Sequence, residues 1–251
     1  MKKQSYSIKF KKAIISLKLL GVFLLSSTTL SAQEAQSSTT NLFSYGVKAG
    51  GTLSSFSQEQ PHSNKIAGIA VGLFTNYSLS NRIALQFEIN YNEEGGRLLS
   101  FDIPENTGKQ TWYTTKINNN KVCLHNLNIP LLFRYNFRFQ NYRVYSVLGP
   151  NLSINLKSVV EDEGLIIPSD GGFIPFNQST EISAKIENFT YSVSGGMGIE
   201  IPLNNTKYLV FDVRLKYGLT NVYKGYSYVK LLQNSDHLKN NSLTVSIGYG
   251  F

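Results

Sequence analysis

Residues 243–251 alternate strictly between two kinds of side chain, one apolar and the other small or polar, and they end on an aromatic residue. Alternation with a period of two indicates a β-strand with one apolar face. The same pattern recurs about eight times along the chain. It predicts an all-β fold, an eight-stranded antiparallel up-and-down transmembrane β-barrel whose apolar face contacts lipid.

Eight segments are predicted to be strands. They cover residues 44–56, 66–78, 82–94, 124–139, 142–157, 187–201, 207–222 and 242–251. In the third segment the odd-numbered residues from Ile83 to Tyr91 are apolar, whereas the residues between them are small or polar. An even number of such segments satisfies the closure of a single-chain barrel, with lipid outside and polar groups inside.

The links between these segments alternate in length. Short turns are expected near residues 80–81, 140–141 and 203–206, and long links near 57–65, 95–123, 158–186 and 223–241. Short turns on one rim and long loops on the other are typical of outer-membrane barrels, with the turns in the periplasm and the loops outside the cell.

The amino-terminal segment has the composition of an export signal. Five lysines precede a largely apolar run, Ala13–Leu25, and small residues follow up to Ala32. The run is too short for a spanning helix and Lys18 interrupts it. We therefore expect a cleaved signal peptide over 1–32, a short periplasmic segment over 33–43 and a barrel domain over 44–251, located in the cell outer membrane.

Charge and cysteine content exclude several classes of function. Six of the 24 basic residues lie in residues 1–32, which contain none of the 16 acidic residues, so the remainder carries 18 − 16 = +2. Nucleic acid is therefore not an expected partner, because such binding needs clustered Lys and Arg. Cys123 is the single cysteine, so we expect no disulfide framework and no cysteine-rich metal site. No cofactor is predicted.

A soluble eight-stranded barrel of the lipocalin type remains an alternative, since it also alternates with a period of two. Its apolar side chains would fill the interior, and charged residues such as Arg134, Arg214 and Glu88 would face water. The export signal, the terminal Phe251 and the alternating link lengths favour the membrane barrel.

The polar faces place nine charged side chains in one narrow lumen. They are Lys48, Glu88, Arg134, Arg138, Arg143, Glu200, Asp212, Arg214 and Lys216. Eight strands leave an interior that side chains can fill, and unpaired buried charge is costly. The sequence therefore predicts an ion-pair network that closes the lumen, while an incomplete network would leave a narrow channel for small solutes.

We expect no enzymatic activity. The three histidines, His62, His125 and His237, fall in or beside predicted external loops. A hydrolase could combine His125 or His237 with an aspartate, either Asp236, Asp102 or Asp162, but no spacing brings these residues together.

Two further sequence patterns are interpreted as structural. The glycines at 195–198 lack the Lys-Ser/Thr pair that follows the glycines of a phosphate loop, and they are expected to allow close packing. The acidic stretches near 161–163 and 170 do not fit a calcium loop and are interpreted as turns, so no metal site is predicted.

The long loops are the predicted contact surface, since binding residues concentrate on loops held by a rigid scaffold. The candidates are Trp112, Tyr113, Phe173, Phe176, Tyr226 and Tyr228. Such aromatics can dock a protein partner or rest on lipopolysaccharide and outer-membrane lipid. They can equally pack on one another over the barrel mouth.

Six short stretches carry a resemblance to a known family, at residues 46–50, 127–132, 148–151, 195–198, 217–223 and 247–251. In this order along the chain they resemble the PorT-like outer-membrane β-barrel proteins of Bacteroidota, whose architecture is similar to that of the OmpA barrel. The resemblance implies insertion by the barrel-assembly machinery, which would recognise the last strand through Val245, Ile247, Tyr249 and Phe251. It also implies, as an alternative function, an accessory role in a protein-secretion system.

Overall fold

A computed structural model describes residues 42–57, 63–98, 101–106, 112–139, 141–168, 172–204, 206–224 and 238–251. The strands are β1 Phe43–Ser57, β2 Ile66–Ser78, β3 Ile83–Leu98, β4 Phe101–Asn106, β5 Trp112–Arg138, β6 Arg143–Pro168, β7 Ile174–Glu181, β8 Phe189–Pro202, β9 Tyr208–Gly218 and β10 Lys239–Gly250. The predicted signal peptide, 1–32, and most of the segment 33–43 lie outside the described residues and stay predictions.

Eight of these strands pair around a closed ring. The order is β5, β3, β2, β1, β10, β9, β8 and β6, and β6 pairs with β5 to complete it. Neighbouring strands are antiparallel throughout, including the seam at which Val47 of β1 lies opposite Tyr249 of β10. Closure leaves no unpaired strand edge in the barrel wall, as a lipid environment requires. The predicted eight-stranded antiparallel β-barrel is confirmed.

Strand β9 shows how the sequence assigns the two faces of the wall. Asp212, Arg214 and Lys216 point inward and are buried, whereas the alternate residues Phe211 and Leu215 are exposed on the outside. Because successive side chains of a strand point to opposite faces, the sequence alternation becomes a lipid-facing surface and a polar lumen. The lipocalin-like alternative is therefore wrong, since it would place the apolar residues inside.

The short connections lie at one end of the barrel. They join β2 to β3, β5 to β6 and β8 to β9, and they span residues 79–82, 139–142 and 203–207. Aromatic pairs lie at the same end, such as Phe43 with Tyr77 at 4.9 Å between ring centroids and Tyr45 with Phe251 at 4.8 Å. Aromatic rings at this level are typical of the boundary between lipid and water.

The links predicted as loops over 95–123 and 158–186 are largely strands. β5 and β6 contain 27 and 26 residues and stay paired as far as Tyr113 and Pro168, with β4 and β7 added along their outer edges. This extension could not be predicted from the alternation of apolar and polar residues, because residues 115–121 are almost wholly polar. Register shifts at Ile117/Asn119 and His125/Asn126 also interrupt the two-residue period. The segment predicted over 207–222 also ends early, at Gly218.

No helix in the part of the chain that the structure describes is long and apolar enough to cross a membrane.

Candidate functional site

The middle of the lumen is organised around Glu88 of β3, whose side chain is almost fully buried. Lys48 Nζ lies 2.7 Å from Glu88 Oε2, and Arg214 Nη2 lies 3.2 Å from Glu88 Oε1. The same guanidinium lies 2.7 Å from Asp212 Oδ2, which also accepts a hydrogen bond of 2.7 Å from the Tyr145 hydroxyl. These five inward-facing residues tie β1, β3, β6 and β9 together across the interior.

A second carboxylate, Glu200 of β8, is held by two arginines. Arg134 pairs with Glu200 Oε1, and Arg143 Nε lies 3.1 Å from Glu200 Oε2. The Arg134 guanidinium carbon also lies 3.8 Å from the centre of the Tyr145 ring, an arrangement that favours cation–π attraction. The Arg143 side chain is 43% exposed, so this residue closes the network towards the end of the barrel with short turns.

Glu94 of β3 forms the third centre, and sequence reasoning missed it. It is completely buried and pairs with Lys216 of β9. Three asparagine amides and one hydroxyl also donate to its carboxylate, from Asn126 at 3.0 Å, Asn128 at 3.2 Å, Asn240 at 2.9 Å and Ser242 at 3.2 Å. The available signal was that Glu94 continues the even-numbered inward series of β3, although it lies at the last residue of the predicted strand.

Eight of the nine predicted lumen residues enter these three centres. Arg138 belongs to β5, and its side chain lies outside the described part of the structure. Apart from Arg143, the set balances four cations, Lys48, Arg134, Arg214 and Lys216, against four anions, Glu88, Glu94, Glu200 and Asp212. A balanced and hydrogen-bonded set offsets the cost of removing these charges from water.

An aromatic layer lies in the lumen towards the short turns. Three inward-facing glycines each receive a ring from a neighbouring strand, and a Cβ added to any of them would overlap that ring. The pairs are Gly46 with Phe74, Gly198 with Tyr145 and Gly250 with Tyr208. Leu132, Val147 and Val210 complete a buried apolar cluster with these rings. Gly198 belongs to the 195–198 glycine cluster, and its place agrees with the expected role in close packing.

A second apolar cluster closes the opposite end of the lumen. Its buried members are Phe56, Val122, Leu124, Val160, Ile182, Ile186, Val222 and Leu238. Ile182 and Ile186 flank the 3₁₀ turn Ser183–Lys185, which follows the end of β7. The Glu88 and Glu94 centres therefore lie between the two apolar clusters. The Glu200 centre instead lies among the rings of the aromatic layer, with Arg134 over Tyr145 and Arg143 5.5 Å from the centre of the Tyr208 ring.

The extended parts of β5 and β6 form, with β4 and β7, a four-stranded sheet beyond the lipid-facing band. Rows of paired residues on the outer surface locate the boundary. Tyr91, Leu127 and Ile154 form an apolar row, and the next row is Glu93, His125 and Lys157. From that row β5 continues for about a dozen residues, or roughly 40 Å of chain at 3.3 Å per residue. We call this four-stranded structure the extracellular sheet.

The predicted contact residues are distributed over this sheet. Trp112 and Tyr113 lie in β5 rather than in a loop, and nothing of their side chains is described. Phe176 lies in β7 opposite Gly164 and is partly buried, whereas Phe173, just before β7, is 71% exposed. Tyr226 and Tyr228 lie outside the described residues. Ile174 adds a second exposed apolar side chain beside Phe173.

The residues considered for a hydrolase are not brought together. His125 Nδ1 lies 2.6 Å from the Tyr91 hydroxyl and 3.7 Å from Glu93 Oε1. Asp162 instead accepts a hydrogen bond from the Asn120 side chain, and burial raises its pKa. The Asp102 side chain, His62, Asp236 and His237 lie outside what the structure describes. The described residues include no group of His, Cys, Asp or Glu side chains suited to a metal ion.

Cys123 lies one row farther from the membrane, opposite Val159 of β6. Burial raises the pKa of its thiol, while the nearby Lys121 ammonium lowers it and the Glu161 carboxylate raises it. Lys121 Nζ lies 3.0 Å from Glu161 Oε2 in an ion pair that is partly open to solvent. The thiol is therefore mostly protonated at neutral pH.

The final strand, β10, shows the alternation expected of it. Val245, Ile247 and Phe251 are exposed on the lipid-facing side, and Tyr249 lies opposite Leu209 of β9 on the same face. Its part in barrel assembly stays a prediction.

Comparison with known proteins agrees with this architecture. Residues 32–224 match the family described as outer membrane protein beta-barrel domain. The chain belongs to this family. It is an integral β-barrel protein of the outer membrane, as the sequence predicted. The sequence matches none of the curated proteins.

Solved structures of other outer-membrane barrels share the fold alone. Ail, the attachment invasion locus protein of Yersinia pestis, is 12% identical, with 83% of this chain and 99% of that chain covered and a TM-score of 0.36. Neisserial surface protein A is 14% identical, with coverages of 81% and 95% and a TM-score of 0.37. The outer membrane protease OmpT of Escherichia coli is 9% identical, with coverages of 87% and 99% and a TM-score of 0.40.

Proposed function

We propose that this outer-membrane barrel is a non-conducting interaction protein that contacts its partner through the extracellular sheet. The observation that carries the proposal is the continuation of β5 and β6 beyond the lipid-facing band, with β4 and β7 paired along their edges. A barrel that only had to seal itself could end its strands at the membrane surface. Here, an ordered sheet is held away from the membrane, where it can present side chains to other molecules.

Two exposed apolar side chains mark the contact region on this sheet. Phe173 is 71% exposed and Ile174 is 54% exposed, and both lie outside the lipid-facing surface. Exposed apolar groups displayed by a rigid scaffold favour docking of a protein or of lipopolysaccharide. The predicted partners therefore remain a protein on the external side and lipopolysaccharide.

The arrangement of the lumen weighs against the alternative of a small-solute channel. Two apolar clusters bracket the Glu88 and Glu94 centres, and the eight central charges are paired. An ion crossing such a path would have to leave water at both clusters. We therefore propose a closed lumen.

The finer family assignment also belongs to this proposal. The stretches that resemble PorT-like proteins support membership of that group, and with it insertion by the barrel-assembly machinery. An accessory role in protein secretion is the second candidate, and deletion of the gene tests it, because that role predicts retention of exported proteins. We propose no catalytic activity, since His125 contacts Tyr91 and Glu93 rather than any of the candidate aspartates that the structure describes.

Site-specific photo-crosslinking in intact cells tests the contact proposal. A photoreactive residue at Ile174 is expected to form a discrete adduct with a protein or with lipopolysaccharide. Leu215, an exposed residue on the lipid-facing wall, provides the matched control position and should give only lipid adducts. The variant Phe173→Ser/Ile174→Ser should lose binding of that partner while it keeps the heat-modifiable gel migration of a folded barrel. Equal adduct patterns at the two positions would contradict the proposal.

A further inference from the structure

The end of the barrel with the three short turns is rich in cations. The turns and the residues that flank them are 79–82, 138–143 and 203–207, and they contain no Asp or Glu. Their cationic residues are Arg82, Arg138, Arg143 and Lys207. In outer-membrane barrels the short turns face the periplasm. We call this end the short-turn rim.

The cations of the short-turn rim outnumber the acidic groups that can pair with them. Glu200 is the carboxylate nearest this end that forms ion pairs among the described residues, and its two oxygens are already held by Arg134 and Arg143. Arg82 and Lys207 are exposed, and neither forms an ion pair within the part of the chain that the structure describes. Two exposed positive charges are therefore available to an outside partner.

The opposite end of the barrel does not share this excess of cations. There the Lys121 ammonium pairs with Glu161, and His125 lies 3.7 Å from Glu93. The stretch 161–163 is wholly acidic, and Glu181 at the end of β7 is exposed. Cations and carboxylates are thus interspersed in the extracellular sheet, whereas the short turns carry cations alone.

The geometry of the turns does not require these cations. Asn204 Oδ1 accepts hydrogen bonds of 3.1 Å from the Thr206 amide and 2.8 Å from the Lys207 amide. In the first turn the Ser80 hydroxyl oxygen accepts from the Arg82 amide at 3.3 Å. Asn and Ser are typical turn residues for this reason. Lys207 and Arg82 contribute only the backbone N–H that every residue but proline has, so their charged side chains serve another purpose.

The surroundings of these cations favour a protein partner over lipid. Arg82 continues the inward-facing register of β3, and its carbonyl accepts from the Asn136 amide at 2.7 Å, so it lies at the aqueous mouth of the lumen. Each short turn also begins with an exposed apolar side chain, Leu79, Phe139 and Leu203. Cationic and apolar groups side by side complement a polypeptide that carries acidic and apolar residues, whereas a glycan has no apolar side chains.

We propose that the short-turn rim is a docking surface for an acidic segment of a periplasmic protein. Arg82 and Lys207 pair with carboxylates of that segment, and Leu79 and Leu203 contact its apolar side chains. Opposite charge also accelerates the encounter and makes it sensitive to salt. The short-turn rim lies at the other end of the barrel from the extracellular sheet, so the two contacts are independent of each other.

Binding of a defined acidic peptide tests this surface. The probe is a fluorescein-labelled peptide of repeated Glu-Glu-Leu triplets, and the full protein is held in nanodiscs of zwitterionic phosphatidylcholine. Fluorescence anisotropy should show saturable binding that weakens as salt is added. Arg82→Gln/Lys207→Gln should weaken binding roughly threefold to tenfold, because two exposed ion pairs are lost. No measurable binding to the unmodified protein would overturn the proposal.

The matched control removes the same charge from the opposite end. Lys65 and Lys157 are exposed there, and Lys65→Gln/Lys157→Gln should bind the peptide as the unmodified protein does. Equal weakening in the two double variants would show that net charge alone attracts the peptide and would contradict a site at the short-turn rim. Heat-modifiable gel migration verifies that each variant is folded.

Competition separates the acidic protein segment from other anions. The unlabelled Glu-Glu-Leu peptide should displace the probe, whereas glycerol phosphate and soluble peptidoglycan fragments at the same concentration of charge should not. Displacement by glycerol phosphate would reassign the short-turn rim to phospholipid headgroups. Displacement by peptidoglycan fragments would reassign it to the cell wall, and either result would overturn the proposal.

Discussion

The charged layer of the lumen and the aromatic layer beside it are built from the same strands by different means. In the charged layer, long side chains reach across the interior, as when Arg214 of β9 meets Glu88 of β3. In the aromatic layer, each ring packs against a glycine of the adjacent strand, as Tyr145 does against Gly198. The first arrangement depends on charge balance and the second depends on backbone space.

This difference separates two tasks within one lumen. Buried ion pairs favour the observed strand register, because a register that separated one pair would leave a buried charge uncompensated. Apolar rings that fill the interior exclude water and ions without demanding a partner charge. We therefore expect the charged centres to specify strand pairing and the two apolar clusters to form the permeability barrier. Each layer should respond to its own kind of substitution.

The largest effect is expected at Glu94. Glu94→Ala leaves Lys216 and three asparagine amides without their shared acceptor, which should cost about 3–5 kcal/mol of unfolding free energy. Urea titration in detergent, followed by circular dichroism, measures the loss. Adding Lys216→Ala to this variant should recover part of it, and Glu161→Ala, in a partly exposed pair, serves as the control. A loss no greater than that of the control would show that the charged layer does not specify the fold.

The aromatic layer is probed by adding a single methyl group to a glycine. Gly198→Ala forces the Tyr145 ring aside and should cost about 1–3 kcal/mol by overpacking. Gly195→Ala is the matched control, because its Cβ would meet only the Leu148 side chain at 3.2 Å and a carbonyl oxygen at 3.6 Å. The same urea titration compares them. Equal stability of the two variants would contradict the packing role of Gly198.

The exposed pair of the extracellular sheet should matter least. Lys121→Ala or Glu161→Ala should change the unfolding free energy by at most about 1 kcal/mol, because partly exposed ion pairs contribute little. Equilibrium unfolding of the two variants and the unmodified protein in urea measures this change. A loss of several kcal/mol would show that this pair belongs with the buried centres.

The reactivity of Cys123 gives a finer measure of the same surface. Burial raises the pKa of its thiol, so alkylation at pH 7 should be slow and should accelerate as pH rises and the thiolate forms. Lys121→Ala should slow the reaction a few-fold and Glu161→Ala should accelerate it, because the two charges act on the thiolate in opposite directions. Rates of iodoacetamide labelling between pH 7 and 9 measure the effect. The folded, unmodified protein and the same protein unfolded in urea provide the reference rates. Identical rates in both variants would contradict the proposed electrostatics.

The sequence predicted the charged layer better than the aromatic layer for a physical reason. Lys48, Glu88 and Arg214 can be assigned to the lumen from alternation alone, because the other face of each strand contacts lipid and a charged side chain there would be destabilising. The packing of the Tyr145 ring against Gly198 depends on the register of β6 against β8, and this register cannot be predicted from a single sequence. Glu94 was missed because the predicted strand stopped at that residue.

The extracellular sheet was missed for a related reason. Outside the membrane both faces of a strand can be polar, so the stretch 115–121 carries no alternation to detect. The register shifts in β5 and β6 further break the period. Contact with lipid imposes the alternation of apolar and polar residues by which a strand is recognised in the sequence. Strands that extend beyond the lipid lack this alternation and are therefore harder to predict.

Planar-bilayer recording decides whether the lumen is sealed. The purified, folded protein should give no stepwise conductance, whereas Phe74→Ala/Tyr208→Ala combined with Phe56→Ala/Leu124→Ala, which removes large side chains from both apolar clusters, should give measurable openings. Lys216→Ala provides the comparison, since it breaks an ion pair while both apolar clusters stay in place. No conductance in the unmodified protein or in Lys216→Ala, with openings in the combined variant, is the predicted result. Stable single-channel openings in the unmodified protein would contradict a sealed lumen and establish a channel in its place.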